Sequence, residues 1–259
     1  METVNGEWIM HGLDWDDPGC IHSADELTKV IETYGFLPLF QNEIEGFSVE
    51  EMTDPGCWWC GNAEVDPWEW RAMIARKGKI AYGKFFGKKA GFVSKKWFPV
   101  FANYRRDGYD FDARYEDGKA GHRENLIMKL FLPKDTELSD VDPKHPERST
   151  EHTSLFSFEV KALAGFGKGG EKNFEGTAAK LQMDTYLVVK DFQQKRNKKG
   201  EPYGWANAIY TLPEYLWGYE YVTRGYAETA EESYRKIIKQ IRKCIPDAEE
   251  NVIRQVMKK

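Results

Sequence analysis

LQMDTYLVVKDFQQKRNKKGEPYGWANAIYT, residues 181–211, decides the fold. Residues 185–192 are β-branched and apolar, 193–202 form a polar loop containing Gly200, and 203–211 alternate well enough to return as a second strand. The reading is a long hairpin. Its tip carries Lys195, Arg196, Lys198 and Lys199, cations held at the end of two strands and free to meet phosphates. A solvated turn rich in lysine for solubility would read the same way.

Upstream, residues 150–163 read as a helix, 165–170 as a loose turn and 174–181 as a second helix. Two close helices followed by a hairpin make the winged-helix pattern, in which the second helix enters a groove and the wing lies along the backbone. Downstream, Tyr234, Ile237, Ile238 and Ile241 share one face of a C-terminal helix, and a short terminal helix follows. The first half repeats the order. Ser23 with Glu26 caps a helix that stops near Gly35, Asp66-Pro67 starts another with Trp70, Met73 and Ile74 on its buried face, and residues 80–86 and 90–93 flank a Gly87-Lys88-Lys89 turn. Ser94 then opens a helix carrying Trp97, Phe98 and Phe101. The charged, proline-bearing stretch 133–148 reads as an exposed linker. The expected fold is therefore α+β, with tandem winged-helix-like domains at 1–132 and 150–259 joined by residues 133–149.

Composition narrows the class. The 259 residues hold four cysteines, Cys20, Cys57, Cys60 and Cys244, too few and too irregular for a disulfide framework, so a reduced cytoplasm is expected. The N-terminus is acidic, and no apolar run has the length of a membrane helix. Net charge is −5, which on average argues against a nucleic-acid binder. The charge is segregated, however: residues 1–70 hold sixteen acids and the single base Lys29, whereas residues 71–106 hold eleven bases and no acid.

Within 71–106 the bases interleave with Tyr82, Phe85, Phe86, Phe92, Trp97, Phe98, Phe101 and Tyr104, as in a stacking platform flanked by cations. Lys88, Lys89, Lys95 and Lys96 are the candidate phosphate contacts there. The aromatics are equally spaced for burial, and the bases equally placed to face the acidic N-terminal residues. Cys57-Trp58-Trp59-Cys60 with Cys20 and His22 offers four soft metal ligands, but without a second paired motif packed thiols are the simpler reading, and neither metal nor cofactor is expected. In extended geometry Gln182 and Asp184 point to the same face. An amide and a carboxylate so placed can orient a water and stabilise the positive charge on a sugar as its bond to a base breaks; polar residues capping a helix end before a strand would look alike.

At LQMDTYLVV the sequence resembles the winged-helix DNA glycosylases of the AlkZ/YcaQ family, whose catalytic motif is Gln-apolar-Asp or Gln-apolar-Gln. It also resembles a shorter AlkZ-related group through DPWEWR at 66–71, AYGKFFGKKAGF at 81–92 and NKKGEPYGWA at 197–206. The resemblance implies tandem winged helices cupping double-stranded DNA, and metal-free removal of alkylated or cross-linked bases. Gln182 and Asp184 would be its catalytic pair, and Tyr186, Tyr203 or Trp205 would fill the gap left in the base stack. A non-enzymatic DNA-binding regulator or protein-interaction module remains the alternative, and the oligomeric state is open.

Overall fold

The computed structural model describes residues 2–4, 7–132, 136–145 and 152–258. The first part of the chain forms β1 (Glu2–Val4), β2 (Glu7–Ile9), α1 (Ala24–Tyr34), β3 (Phe36–Pro38), α2 (Pro67–Arg76), β4 (Ile80–Phe86), β5 (Lys89–Ser94), α3 (Phe98–Arg106), α4 (Phe111–Glu116) and α5 (His122–Phe131). The second forms β6 (Ser154–Phe156), α6 (Ser157–Leu163), α7 (Phe174–Met183), β7 (Val188–Arg196), β8 (Pro202–Thr211), α8 (Pro213–Trp217), α9 (Tyr219–Thr223), α10 (Ala230–Cys244) and α11 (Glu250–Val256). The expected α+β class holds. No helix among the described residues is long and apolar enough to cross a membrane.

Local signals act as their chemistry requires. The Ser23 hydroxyl accepts from the Glu26 amide at the start of α1, and the Asp66 carboxylate accepts from the Trp68 amide ahead of Pro67 at the start of α2. Gly35 ends α1 at φ 88°, where an added Cβ would come within 2.5 Å of the Trp97 ring. Gly87 and Lys88 both take positive φ, 54° and 67°, giving the two-residue turn whose twist suits a hairpin.

β1 and β2 pair as a separate ribbon, and the other six strands form one antiparallel sheet in the order β3-β5-β4-β7-β8-β6. Each half contributes three neighbouring strands in the same way: a short strand pairs with the second strand of that half's hairpin, β3 on β5 and β6 on β8. The halves meet where Tyr82 of β4 pairs with Val189 of β7. Side chains widen this narrow seam. Gln182 Oε1 accepts from the Lys84 amide at 3.1 Å, the Arg71 guanidinium is stacked between the rings of Trp68 and Phe192 at 3.4 and 4.1 Å, and Arg76 donates to Asp191 at 2.8 Å. A continuous apolar core runs beneath both halves, from Leu27 and Ile31 through Phe85, Phe98 and Phe101 to Val188, Ile237 and Ile241.

Several elements differ from the sequence reading. Ser94 ends β5 instead of opening a helix, α3 begins at Phe98 with Trp97 as its N-cap, β7 starts at Val188 and not at 185, and Met73 of α2 is 37 % exposed instead of lying on the buried face. Within 150–163, Thr150 and Glu151 lie outside the described residues, Ser154–Phe156 is a strand, and the helix begins at Ser157, where the Glu159 carboxylate accepts from the Phe156 amide at 2.9 Å. The strands of the long hairpin run on to Arg196 and restart at Pro202, so the loop is shorter than 193–202. Of the stretch 133–148, residues 133–135 and 146–148 lie outside the described residues, while Leu138 and Val141 are buried in the core.

One polar cluster also crosses between the halves. Arg106, at the end of α3, is fully buried and bonds Glu214 of α8 at 2.6 Å, the Thr185 carbonyl at 2.7 Å and the Thr185 hydroxyl at 3.2 Å, with its guanidinium 4.4 Å from the Tyr186 ring. Burial works against the Arg106 charge, but Glu214 and the neighbouring tyrosines outweigh it and hold the guanidinium above its ordinary value. Removing one member of such a pair leaves the other charge buried alone. Arg106→Met or Glu214→Leu should each lower the unfolding free energy by about 3–5 kcal/mol, with the double substitution recovering most of that loss, as read from urea denaturation.

Candidate nucleic-acid interface

The basic residues of the chain divide by type. All four arginines of residues 71–106 are committed to partners within the protein: Arg71 in its ring sandwich, Arg76, its side chain still exposed, on Asp191, Arg105 on the carbonyls of Phe85 and Lys258, and Arg106 on Glu214. Lys77 pairs with Asp25 at 2.7 Å. Lys79, Lys84, Lys88, Lys89, Lys95 and Lys96 have no carboxylate partner among the described residues. The aromatics that interleave with them, Phe85, Phe86, Phe92, Phe98 and Phe101, are buried core rather than a stacking platform.

Strand direction then separates the exposed lysines. β4 runs antiparallel to β7, so the Gly87-Lys88 turn and the tip of the β7–β8 hairpin leave the sheet at opposite ends. Lys88 and Lys89 therefore share no surface with the hairpin tip. Lys95 and Lys96 follow β5, which runs the same way as β7, and so lie toward the tip's end of the sheet; Lys95 Nζ sits 4.7 Å from the Tyr221 ring centroid.

The β7–β8 hairpin gathers the remaining candidates. Val189 is opposite Tyr82, so Ile80, the first residue of β4, falls level with Asp191, and Phe192 through Arg196 project past it by about 17 Å. Lys195 lies with Nζ 4.2 Å over the Phe158 ring, Arg196 donates to the Gly200 carbonyl at 2.7 Å, and Lys198 and Lys199 are exposed. Asn197 closes the turn by bonding the Lys199 and Glu201 amides. None of these four cations has a carboxylate partner among the described residues.

β8 carries an irregularity that the sequence reading missed. Gln193 pairs with Asn207 and Lys195 with Tyr203, so the single residue Gln194 faces Gly204, Trp205 and Ala206. Gly204 takes φ 71°, a conformation glycine permits at little cost, and the bulge is pinned by Gln194 Nε2 donating to the Gly204 carbonyl at 2.6 Å and Asn207 Nδ2 donating to the Trp205 carbonyl at 2.9 Å. Trp205 is thereby turned out to 91 % exposure, and Tyr203 stands 50 % exposed beside the tip. A glycine inside a strand pattern was the available signal. Between the hairpin and the second half's first elements lies a groove of about 350 Å³, lined by Phe156, Phe158, Tyr203, Gln194, Lys195 and Arg196. Phe156 and Phe158 stack with centroids 5.0 Å apart. Flat aromatic faces beside cations suit bases beside phosphates.

The Gln182-Met183-Asp184 segment is placed differently from the extended geometry expected. Gln182 and Met183 are the last residues of α7 and Asp184 is its C-cap, so residues two apart point about 200° apart around the helix instead of to one face. Gln182 is 2 % exposed, with Oε1 on the Lys84 amide and Nε2 on the Ala178 carbonyl. Burial pushes the neighbouring Tyr210 phenol up to about 12, with Gln182 pulling the other way. Asp184 pairs with Lys180 and, at 3.5 Å, with Arg114. α7 itself is covered by β4 and α5, burying Thr177, Ala178 and Ala179, so it does not present a free face for a groove. Tyr186 is buried, its hydroxyl donating to the Tyr109 carbonyl at 2.7 Å. Among the described residues no group of three or more His, Cys, Asp or Glu side chains is placed to hold a metal ion. His22 Nε2 is spent on the Trp15 carbonyl at 2.8 Å, and Cys20, Cys57 and Cys60 are free thiols, the first two pushed up chiefly by burial.

A family model described as "AlkZ related" matches residues 21–258. No curated protein and no solved structure matches the chain.

The root of the hairpin makes its own prediction. Burial opposes the Asp191 charge, but bonds from Arg76, Gln193 and the Phe192 amide outweigh it, so the carboxyl titrates below its ordinary range. Its contribution to stability is present above the unfolded value near about 3.9 and is lost as pH falls through the lower folded value. Urea midpoints taken between about pH 2 and 5 should fall more steeply for the natural chain than for Asp191→Asn.

Proposed function

The chain belongs to the AlkZ-related family, and from that premise we propose that it binds double-stranded DNA through the β7–β8 hairpin. The observation that carries this reading is a projecting hairpin whose four tip cations have no carboxylate partner among the described residues and whose bulge holds Trp205 in solvent. Lysine and arginine at the tip would take phosphates, while Trp205 and Tyr203 offer ring faces to bases or sugars. A fully exposed tryptophan loses apolar free energy to water, so its presentation by a pinned bulge points to a partner surface.

The repeated connectivity supports a further reading of the fold. A short strand, a helical stretch and a hairpin whose second strand pairs with the short one is part of how a winged helix is wired, and it occurs twice here, as β3-α2-β4-β5 and as β6-α6-α7-β7-β8. We read the chain as two such units, 1–132 and 150–259, joined through 133–149 and sharing a sheet. With α7 covered, DNA contact falls to the wing rather than to the second helix.

Base excision by N-glycosidic hydrolysis is the second reading, favoured by the segment Leu181 to Thr185 alone. In this placement Gln182 is a structural amide, and Asp184, beside the half-exposed Lys180, is the member of the pair nearer solvent. Asp184→Asn should then abolish the appearance of abasic sites in alkylated DNA while leaving duplex affinity intact; a chain that never yields abasic sites is a binder only.

Binding measured against salt tests the main reading. Lys198→Gln with Lys199→Gln should reduce the slope of log K against log salt by about 1.8, two phosphate contacts' worth. Trp205→Ala should weaken binding roughly tenfold without changing the slope. Unchanged slopes and affinities in both variants would remove the hairpin from the interface.

A further inference from the structure

A second cavity, of about 460 Å³, lies between α10 and α11. α10 turns Ser233, Tyr234, Ile237, Ile238 and Ile241 inward. Arg235, Lys239 and Arg242 follow one another at helical spacing along the edge of that apolar face, over about 10 Å, and Arg254 of α11 stands on the other side. Four cations thus surround a space to which only Glu231 and Glu250 bring carboxylates.

Those carboxylates hold their partners loosely. Arg235 meets Glu231 at 3.3 Å, and Glu250 is shared between Arg242 at 3.5 Å and Arg254 at 3.7 Å, all with exposed side chains. Pairs of this kind contribute little and exchange readily with a competing anion. Lys239 has no carboxylate partner among the described residues. Tyr234 lines the same space. Its ring stacks on Tyr104 with centroids 5.0 Å apart, and its buried hydroxyl faces Arg254, a group that can only donate, so the phenolic proton is left without an acceptor. A buried hydroxyl left unpaired costs free energy that an incoming acceptor would restore.

We propose that the α10–α11 cavity is a phosphate-binding site, separate from the hairpin, in which Arg235, Lys239, Arg242 and Arg254 surround the anion and the Tyr234 hydroxyl donates to one of its oxygens. A tetrahedral, doubly charged group matches the excess of two positive charges and takes donors from several directions, which a flat, singly charged carboxylate does not. Ile238 gives an apolar wall for whatever the phosphate is attached to. A phosphorylated small molecule carries the group as a doubly charged monoester, and a nucleic-acid backbone supplies the same charge through two neighbouring, singly charged diesters.

Inorganic pyrophosphate, titrated into the full chain by calorimetry and by amide chemical shifts, tests the site. The natural chain should bind it, Lys239→Gln with Arg242→Gln should weaken binding by about tenfold or more, and Tyr234→Phe, which keeps the stack on Tyr104, should weaken it severalfold. The hairpin substitutions Lys198→Gln and Lys199→Gln should change nothing, so failure of the DNA reading and failure of this one stay distinguishable. Displacement of pyrophosphate by a short DNA duplex would assign the site to backbone phosphate, and indifference to the duplex would assign it to a small phosphorylated molecule. Absence of binding, or binding that survives the α10 substitutions or vanishes with the hairpin ones, overturns the proposal.

Discussion

A guanidinium with no access to water governs how this chain is put together. Arg106 cannot lose its charge, so every donor must be matched inside the protein, and the matches come from elements far apart in sequence: the turn after α7, the start of α8 and Tyr226. The turn pays a conformational cost for its part. Thr185 adopts φ 64°, unusual for a β-branched residue, as the left-handed position of a helix stop in which the Tyr186 amide bonds the Leu181 carbonyl and the Thr185 amide bonds the Gln182 carbonyl. Glycine would take that conformation without strain, but it would not supply the hydroxyl that Arg106 also bonds. The same few residues therefore end a helix, start a strand and lock one half to the other.

That arrangement gives the segment from Leu181 to Thr185 a structural account beside its catalytic resemblance. Gln182 completes the β4 edge where regular pairing with β7 is narrow, acting as a backbone surrogate for Lys84. Gly83 is fitted to the same place: a Cβ there would come within 2.9 Å of the Phe85 ring and 3.4 Å of Gln182 Oε1. Polar residues that look reactive in a linear reading can be the ones that satisfy a junction between the two halves of one sheet.

What was legible in the sequence was whatever chemistry acts over a few residues. Caps at Ser23 and Asp66, the Gly87-Lys88 turn, the inward face of α10 and both hairpins could be read because each is settled by neighbours in the chain. The union of the two hairpins in one sheet could not, since it depends on an edge pairing between residues more than a hundred positions apart. Nor could the sorting of the bases. Arginine and lysine count alike in a charge tally, yet the planar, weakly hydrated guanidiniums went to ring stacks, carbonyls and carboxylates of the protein itself while the ammoniums stayed outside, so a run that looked like one basic face gives up its arginines to internal wiring and splits its lysines between two ends of the sheet. The β8 bulge was foreshadowed only by Gly204, and β6 was hidden because three residues, Ser154–Phe156, are too few to show an alternation.

The hairpin also bears on how the molecule travels. Its cations ride at the far end of a lever while the body, at a net charge of −5 overall, is anionic. Such a separation is a permanent electric moment, and in the field of a polyanion it produces a torque: the body is pushed away as the tip is drawn in, so collisions arrive already aligned. The lever is longer than the roughly 8 Å over which physiological salt damps the field, which leaves the tip to sense the surface before the body does.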